Sequence, residues 1–425
     1  MIDARLIRSD TDRVREALAR RGADELVDGF LELDGERLKL QGAVEQARAE
    51  NNSAAKAIAE AKQRGDDTSV AIARQAQLKA EQAADEAMLA AIRARINELM
   101  LRIPNLPDKT AADGMTEEDA VTVSTYGEKP DFGFEPKDHL ELAGPDGLGL
   151  IDMEDASRVS GSRFHYLLGD LVRLELAMMQ WGLGKLTAGG FFPVIPPVLV
   201  REPAMEGTGM FPEARDQAYS VPEDELFLVG TAEVPIASLH GGEILDADAL
   251  PLRYVGLSPC FRREAGAAGK DTRGIFRVHQ FDKLEMFVYC LPEESQAIHD
   301  DLLAIEEEIA QELGFHYRVQ NIAAGDLGAA AAKKYDIEVW LPGQQRYREL
   351  TSCSNTTDFQ ARRLDVRYRA EKGPRPVHML NGTAVTSSRT LLALVEYGQQ
   401  ADGSVQTPAP LHDFGAPPVL APRHS

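Results

Sequence analysis

Residues 261–287 read FRREAGAAGKDTRGIFRVHQFDKLEMF, and this stretch decides the fold. Two strand-like runs, Leu257 to Glu264 and Gly274 to Cys290, flank the turn-forming segment AGAAGKDTRG, the pattern of a long antiparallel hairpin. Between Phe261 and Glu285 the hairpin carries six bases (Arg262, Arg263, Lys270, Arg273, Arg277 and Lys283) against four acids. Arginines on adjacent strands can grip phosphate oxygens with paired N–H donors. Arg262 and Glu264 stand two apart on one strand and are expected to share a face. A carboxylate beside a phosphate-binding arginine suits a ligand that also presents an adenine amino group or Mg2+. Phe281 offers a ring on which a base can stack. The competing reading is a surface hairpin with solvated ion pairs.

Outward from the hairpin, helical and alternating patterns mix. Arg163 to Leu186 reads as an amphipathic helix, and Phe191 to Val200 as extended, because Pro193, Pro196 and Pro197 each bias their predecessors away from helix. Glu294 to Leu313 reads as a second helix, with Glu306-Glu307-Glu308 on a solvated face. Tyr335 to Leu341 and Gln345 to Thr351 alternate as antiparallel strands. No G-x-x-x-x-G-K-[ST] or G-x-G-x-x-G loop opens a βαβ unit, which excludes P-loop and Rossmann nucleotide binders. The core is α+β, with a mainly antiparallel sheet flanked by helices.

The first hundred residues are a different material. Phe30 to Arg64 contains no proline, and Leu33, Leu40, Val44, Ala47, Asn51, Ala54, Ile58 and Ala61 follow coiled-coil spacing, with Asn51 a polar break. Arg64-Gly65-Asp66-Asp67-Thr68 supplies a turn. Leu78, Gln82, Asp85, Leu89, Ile92, Ile96, Leu99 and Ile103 then repeat the spacing. Two such helices make an antiparallel two-helix coiled-coil arm about 50 Å long. Residues 1–29 predict one or two short helices at its base. Pro104-Asn105-Leu106-Pro107 ends the second helix, and a Gly/Pro/Asp-rich connector runs to about Gly161. The expected domains are 1–108 and 109–425. Acids and bases nearly balance along the arm, so charge alone leaves two readings open: a dimerising spacer, or a probe that reaches a large partner.

Composition narrows the classes. The 425 residues are 44% hydrophobic and 27% charged, with net charge −22, which excludes a basic, sequence-blind coat for DNA or RNA. Cys260, Cys290 and Cys353 are spaced for neither a disulfide framework nor a zinc site. No apolar run approaches the ~18 residues of a membrane span, and MIDARLIRSD lacks a signal-peptide core. A cytoplasmic protein without membrane partners is expected. His240, His279 and His316 lack a His or Cys at metal spacing and read as structural. Cys353, Met178 and Met179 read as packing residues.

Phe261-Arg262-Arg263-Glu264 matches the F-R-x-E of motif 2 in class II aminoacyl-tRNA synthetases (motif 2 about 257–287). Asn381-Gly382-Thr383 followed by Arg389 resembles motif 3 (about 380–397), departing from its glycine-rich pattern at Ala384, Thr386 and Ser388. The helix and proline-rich stretch over about 163–200 resemble motif 1, which builds a homodimer interface. Within the class, Thr231-Ala232-Glu233 after LFLVG, Glu349-Leu350-Thr351-Ser352-Cys353-Ser354-Asn355 and LNGT ending at Thr383 resemble bacterial-type seryl-tRNA synthetases. That resemblance spans essentially the whole chain and implies a tRNA-binding arm on a class II catalytic domain.

The resemblance also implies roles. Thr231, Ala232, Glu233, Glu285 and Thr383 would meet L-serine. Arg262 would bind the ATP α-phosphate; Arg263, Glu264, Val278 and Phe281 would line the nucleotide site. Arg277 and Arg389 would take the β- and γ-phosphates, with Arg262 and Arg389 catalytic. Glu349, Leu350, Thr351 and Ser352 would complete the ATP site, Glu349 and Ser352 holding Mg2+. Arg37, Lys39, Arg48, Lys56, Lys62, Arg74 and Lys79 would contact serine tRNA, with selenocysteine tRNA a further candidate. The implied activity is serine–tRNA ligation through seryl-adenylate. The alternatives are an adenylating paralogue that loads a carrier protein, which should lack the arm, and an inactive coiled-coil protein, which should lack Arg262, Glu264 or Arg389.

Overall fold

The computed structural model describes residues 1–265 and 273–423 of the chain. It divides into two compact units, Asp3–Ile103 and Met1–Ile2 with Pro104–Ser425.

The first unit is helical: α1 (Ala4–Ser9), α2 (Thr11–Ala19), α3 (Glu25–Arg64) and α4 (Ser69–Arg102). Gly65, at φ +80°, closes α3 because a left-handed residue lets its N–H reach the last carbonyls of the helix. The seam forms where the spacing puts it. Val44, Ile58, Leu89 and Ile96 are buried, and the arm carries exposed residues on its other faces. The polar break is satisfied across the seam: Asn51 Nδ2 donates to Gln82 Oε1 at 2.7 Å. At the base, Asp34 is 3% exposed and accepts from Arg8 at 2.7 and 2.9 Å and from Arg37 at 2.8 Å.

In the second unit, eight strands among the described residues form one sheet: β1 (Val121–Tyr126), β2 (Phe192–Val194), β3 (Leu252–Phe261), β4 (Gln280–Cys290), β5 (Tyr317–Asn321), β6 (Lys333–Leu341), β7 (Arg346–Thr357) and β8 (His378–Thr386). Their order is β1-β5-β6-β7-β8-β4-β3-β2, antiparallel throughout except for the parallel edge pair β2–β3. Helices α5 (Asp170–Ala188) and α7 (Ser295–Glu312) pack against the central strands through Leu174, Met178, Leu302 and Ile309. Short α6 (Glu233–Ala237) and α8 (Phe359–Leu364) and the buried α9 (Arg389–Tyr397) complete the surroundings of the central strands.

Four sequence expectations change. The motif 1 helix begins at Asp170, not Arg163, because Tyr166–Leu167 pairs with Ile151–Asp152 and Gly169, at φ +54°, reverses the chain. The connector contains β1, whose six residues are all exposed, so no buried alternation betrayed it. The hairpin strands are β3 and β4, ending at Phe261 and beginning at Gln280. Arg262 and Glu264 therefore lie beyond the ladder, and Glu264 sits at φ +51°, so the shared-face argument does not apply to them. Finally, Glu306 is 1% exposed rather than solvated.

Glu306 lies under the sheet. Thr351 Oγ1 donates to its Oε2 at 2.9 Å, and a Cβ at Gly382 would come within 2.9 Å of its Oε1. Burial pushes its carboxyl well above the ordinary range, which the Thr351 bond only partly offsets. The folded chain thus keeps a proton that the unfolded chain releases above about pH 4.3, and this contribution to stability is lost as pH rises. Glu306→Gln should therefore gain thermal stability over the parent progressively from pH 5 to pH 9, measured by calorimetry. A pH-independent difference would mean that the carboxyl titrates normally.

Candidate functional site

The face of β4, β7 and β8 opposite Glu306 forms the floor of a cavity of about 430 Å3. Alternation explains which residues face it: Gly382 turns toward α7, so Asn381 and Thr383 turn into the cavity. Two bulges adjust this pattern. One interrupts β4–β8 between Leu284 and Glu285 and leaves Glu285 opposite Thr383. The other interrupts β6–β7 between Ile337 and Glu338, so that Glu349, Leu350, Thr351 and Ser352 all reach the cavity.

One end of the cavity is acidic and closed. Glu233 and Glu285 are 8% and 2% exposed. Burial and the neighbouring Glu285 push Glu233 up to about 7, opposed by hydrogen bonds from Gln360 and Asn381. Burial also raises Glu285, opposed by an ion pair with Lys283, by Arg262 and by the Thr231 hydroxyl. The other end is basic. Arg262 Nε donates to Gly230 O at 3.2 Å and its guanidinium lies 5.2 Å from the Phe281 ring centre. Arg277 donates to Glu264 at 3.0 Å, and Arg389 pairs with Glu349 at 3.0 Å. Glu349 is surrounded by protein, yet 38% of its side chain opens to the cavity. Burial alone would raise its pKa, but Arg389, Lys334 and Arg262 outweigh that and hold it below the ordinary range. Asp336 behaves oppositely: burial and Glu349 raise it despite its ion pair with Lys334.

Most expected site residues meet here: Thr231, Glu233, Arg262, Glu264, Arg277, Val278, Phe281, Glu285, Glu349, Leu350, Ser352, Thr383 and Arg389 all line the cavity. Thr351 also lines it, but its hydroxyl is turned beneath the sheet to Glu306. Ala232 packs in a separate apolar cluster with Ile236 and Phe287. Arg263 is not among the lining residues, and its backbone N–H donates to Gln217 O. Arg273 pairs with Asp138 at 3.4 Å, and Lys270 lies outside the described residues. On the arm, Lys39, Lys56, Lys62 and Lys79 are exposed, Arg48 pairs with Glu86, and Arg74 approaches Glu81. Arg37 is the least exposed of these bases, and its guanidinium donates to Asp34 at 2.8 Å and to Gln41 at 2.7 Å.

Sequence reasoning gave no site role to Phe276, Lys283, Lys334, Gln360 or Asn381. Phe276 meets two guanidinium groups, its ring centre 3.6 Å from Arg348 and 4.8 Å from Arg389. Phe276 and Lys283 stood within the hairpin stretch and Asn381 within the motif 3 resemblance, while Lys334 and Gln360 carried no such signal.

The family model described as "Seryl-tRNA synthetase N-terminal domain" matches residues 1–107, and that described as "tRNA synthetase class II core domain (G, H, P, S and T)" matches residues 219–397. A serine–tRNA ligase of Streptomyces coelicolor is 48% identical, over 99% of each chain. The crystal structure of seryl-tRNA synthetase from Pyrococcus horikoshii complexed with ATP superposes with a TM-score of 0.92 and 40% identity, over 100% of each chain. A cytoplasmic serine–tRNA ligase from Naegleria fowleri in complex with AMP gives 0.85 and 32%, over 98% of this chain and 96% of that one.

Phe276→Leu should weaken equilibrium ATP binding by about threefold to thirtyfold, since a guanidinium–ring contact is worth about 0.5–2 kcal/mol. Unchanged affinity would mean that Glu349 alone orients Arg389.

Proposed function

Because the chain belongs to the seryl-tRNA synthetase family of class II aminoacyl-tRNA synthetases, we propose that its cavity holds serine at the acidic end and ATP at the basic end. The activity is serine–tRNA ligation. The observation that carries the site assignment is the convergence of Arg262, Arg277 and Arg389 on the same cavity as buried Glu233 and Glu285.

Glu233 and Glu285 suit the ammonium and hydroxyl groups of serine, and Thr383 stands directly across the ladder from Glu285. A buried polar pocket favours a substrate with a hydroxyl, because an analogue without one leaves polar groups unpaired. A serine carboxylate oxygen attacks the ATP α-phosphorus, forming a P–O bond as the bond to pyrophosphate breaks. Arg262 stabilises the charge growing on the α-phosphoryl oxygens, while Arg277 and Arg389 hold the departing pyrophosphate. Phe281 offers its ring face to the adenine, with Glu264 placed for its amino group. A ribose hydroxyl at the tRNA 3′ end then attacks the seryl carbonyl and AMP leaves.

Glu349, which pairs with Arg389 at 3.0 Å, and Ser352 offer hard oxygen donors, and Glu349 is ionised and open to the cavity. These residues fit Mg2+, whose shell ATP phosphates and water would complete. Among the described residues no group of three His, Cys, Asp or Glu side chains could hold a metal by itself. When bound, the ion would neutralise phosphate charge.

Residues 1–108 are the proposed tRNA-binding domain, with Lys39, Arg48, Lys56, Lys62, Arg74 and Lys79 as phosphate ligands for serine tRNA. Selenocysteine tRNA is a further proposed substrate. We assign a homodimer interface to the motif 1 region, where Leu176, Phe192 and Ile195 are 64%, 66% and 82% exposed. A reducing cytoplasm suits three buried, unpaired thiols. Among the described residues no helix is long and apolar enough to cross a membrane.

Amino-acid-dependent pyrophosphate exchange tests the substrate reading: serine alone among the twenty should support it. Arg262→Ala should lower exchange roughly 10²–10³-fold with the fold intact, and near-normal exchange would move the phosphate site elsewhere. Replacing residues 36–97 by a short glycine linker should spare exchange but collapse tRNA charging and flatten the salt dependence of tRNA binding. If charging survived, the arm would be a spacer.

A further inference from the structure

Gln360 belongs to no recognised motif, yet it is completely buried directly behind Glu233, a residue that lines the acidic end of the cavity. It lies on α8. Its Nε2 donates to Glu233 Oε1 at 2.7 Å and to Thr208 O at 3.1 Å, which uses both amide hydrogens. Its Oε1 faces the Thr356 hydroxyl at 3.3 Å, and that hydroxyl donates to Met379 O at 2.8 Å. The amide therefore has one orientation: reversing it would point an oxygen at two acceptors. We propose that Gln360 is a positioning residue for serine, holding Glu233 by one oxygen so that the other is presented to the substrate ammonium.

Two features make this more than packing. Thr208 directly precedes Gly209 and Met210, and all three line the cavity, so one amide ties together two walls of the serine pocket. Glu233 also needs a donor. It faces Glu285 and Lys283 from β4, Asn381 from β8 and Gln360 from α8, and of these Glu285 opposes its ionisation. A fixed N–H favours the carboxylate, the form that pairs with an ammonium ion. The inference rests on the assignment of Glu233 to the serine ammonium.

The test uses the full-length enzyme in pyrophosphate exchange, with KM measured separately for serine and ATP. Gln360→Met keeps the length of the side chain and removes the donors. Serine KM should rise about tenfold or more, with ATP KM within twofold of the parent. A serine KM unchanged, or serine and ATP KM rising together, would overturn the proposal. Should Gln360→Met fold poorly, Gln360→Glu supplies an independent readout. Its carboxyl can donate to Glu233 only while the pair retains a proton, so serine KM should climb more steeply between pH 6 and pH 8.5 than in the parent. A parallel pH profile would overturn the proposal equally. Glu233→Gln separates the two levels: if it leaves serine KM unchanged, the assignment of Glu233 fails. If it raises serine KM while Gln360→Met does not, only the role of Gln360 fails.

Discussion

The pairing of β4 with β8 is the constraint on which the rest of the catalytic unit depends. It places Glu285 opposite Thr383 and, through the bulge between Leu284 and Glu285, keeps both directed into the same cavity. Strand side chains alternate, so a slip of one residue would exchange Thr383 for Gly382 or Ala384 on the cavity face and turn the pocket's hydroxyl into the core. The pairing of β7 with β8 fixes the same register from the other side, with Cys353 opposite Gly382. Gly382 is needed here because Glu306, Met286 and Cys353 crowd the space a Cβ would fill, at 2.9, 3.1 and 3.2 Å.

On this frame the chain separates charges by role. Acidic groups at the closed end lie deep and are pushed toward their neutral forms by burial, as at Glu285 and Glu233. At the basic end, arginines keep Glu349 ionised. The difference matters chemically. A carboxyl near its switching point answers strongly to the arrival of a substrate ammonium, whereas one held as an anion remains an oxygen donor whatever the nucleotide brings. The net charge of −22 conceals this, since the bases that matter gather inside one cleft.

The arm follows another logic. Two long helices with a single shared seam bury few side chains, and the seam residues Leu33, Leu40, Leu78 and Leu99 are only half-buried. Specificity of register therefore falls to polar contacts, Asn51 with Gln82 along the seam and Asp34 with Arg8 and Arg37 at the base. Arg37 differs from the other bases of the arm in being only 18% exposed, with its guanidinium turned to Asp34 and Gln41.

Spacing along the chain was enough to identify the two-helix arm, because periodicity and the Gly65 turn are local properties. Motif residues such as Arg262, Glu264, Glu285, Thr383 and Arg389 were equally legible, because their spacing and residue types resemble a known set, and they meet in one cavity. The strand face assigned to Arg262 and Glu264 was not legible: the ladder ends at Phe261, and the positive φ of Glu264 breaks the alternation that the argument used. Nor were Glu306 and Gln360. Glu306 looked like part of a solvated acidic run and Gln360 carried no signal, and each is buried beside a partner far away in sequence, Thr351 and Glu233 respectively. Local pattern reports the period and the propensity of an element. Which polar group is buried, and beside which partner, depends on contacts between segments, and only the tertiary structure decides them.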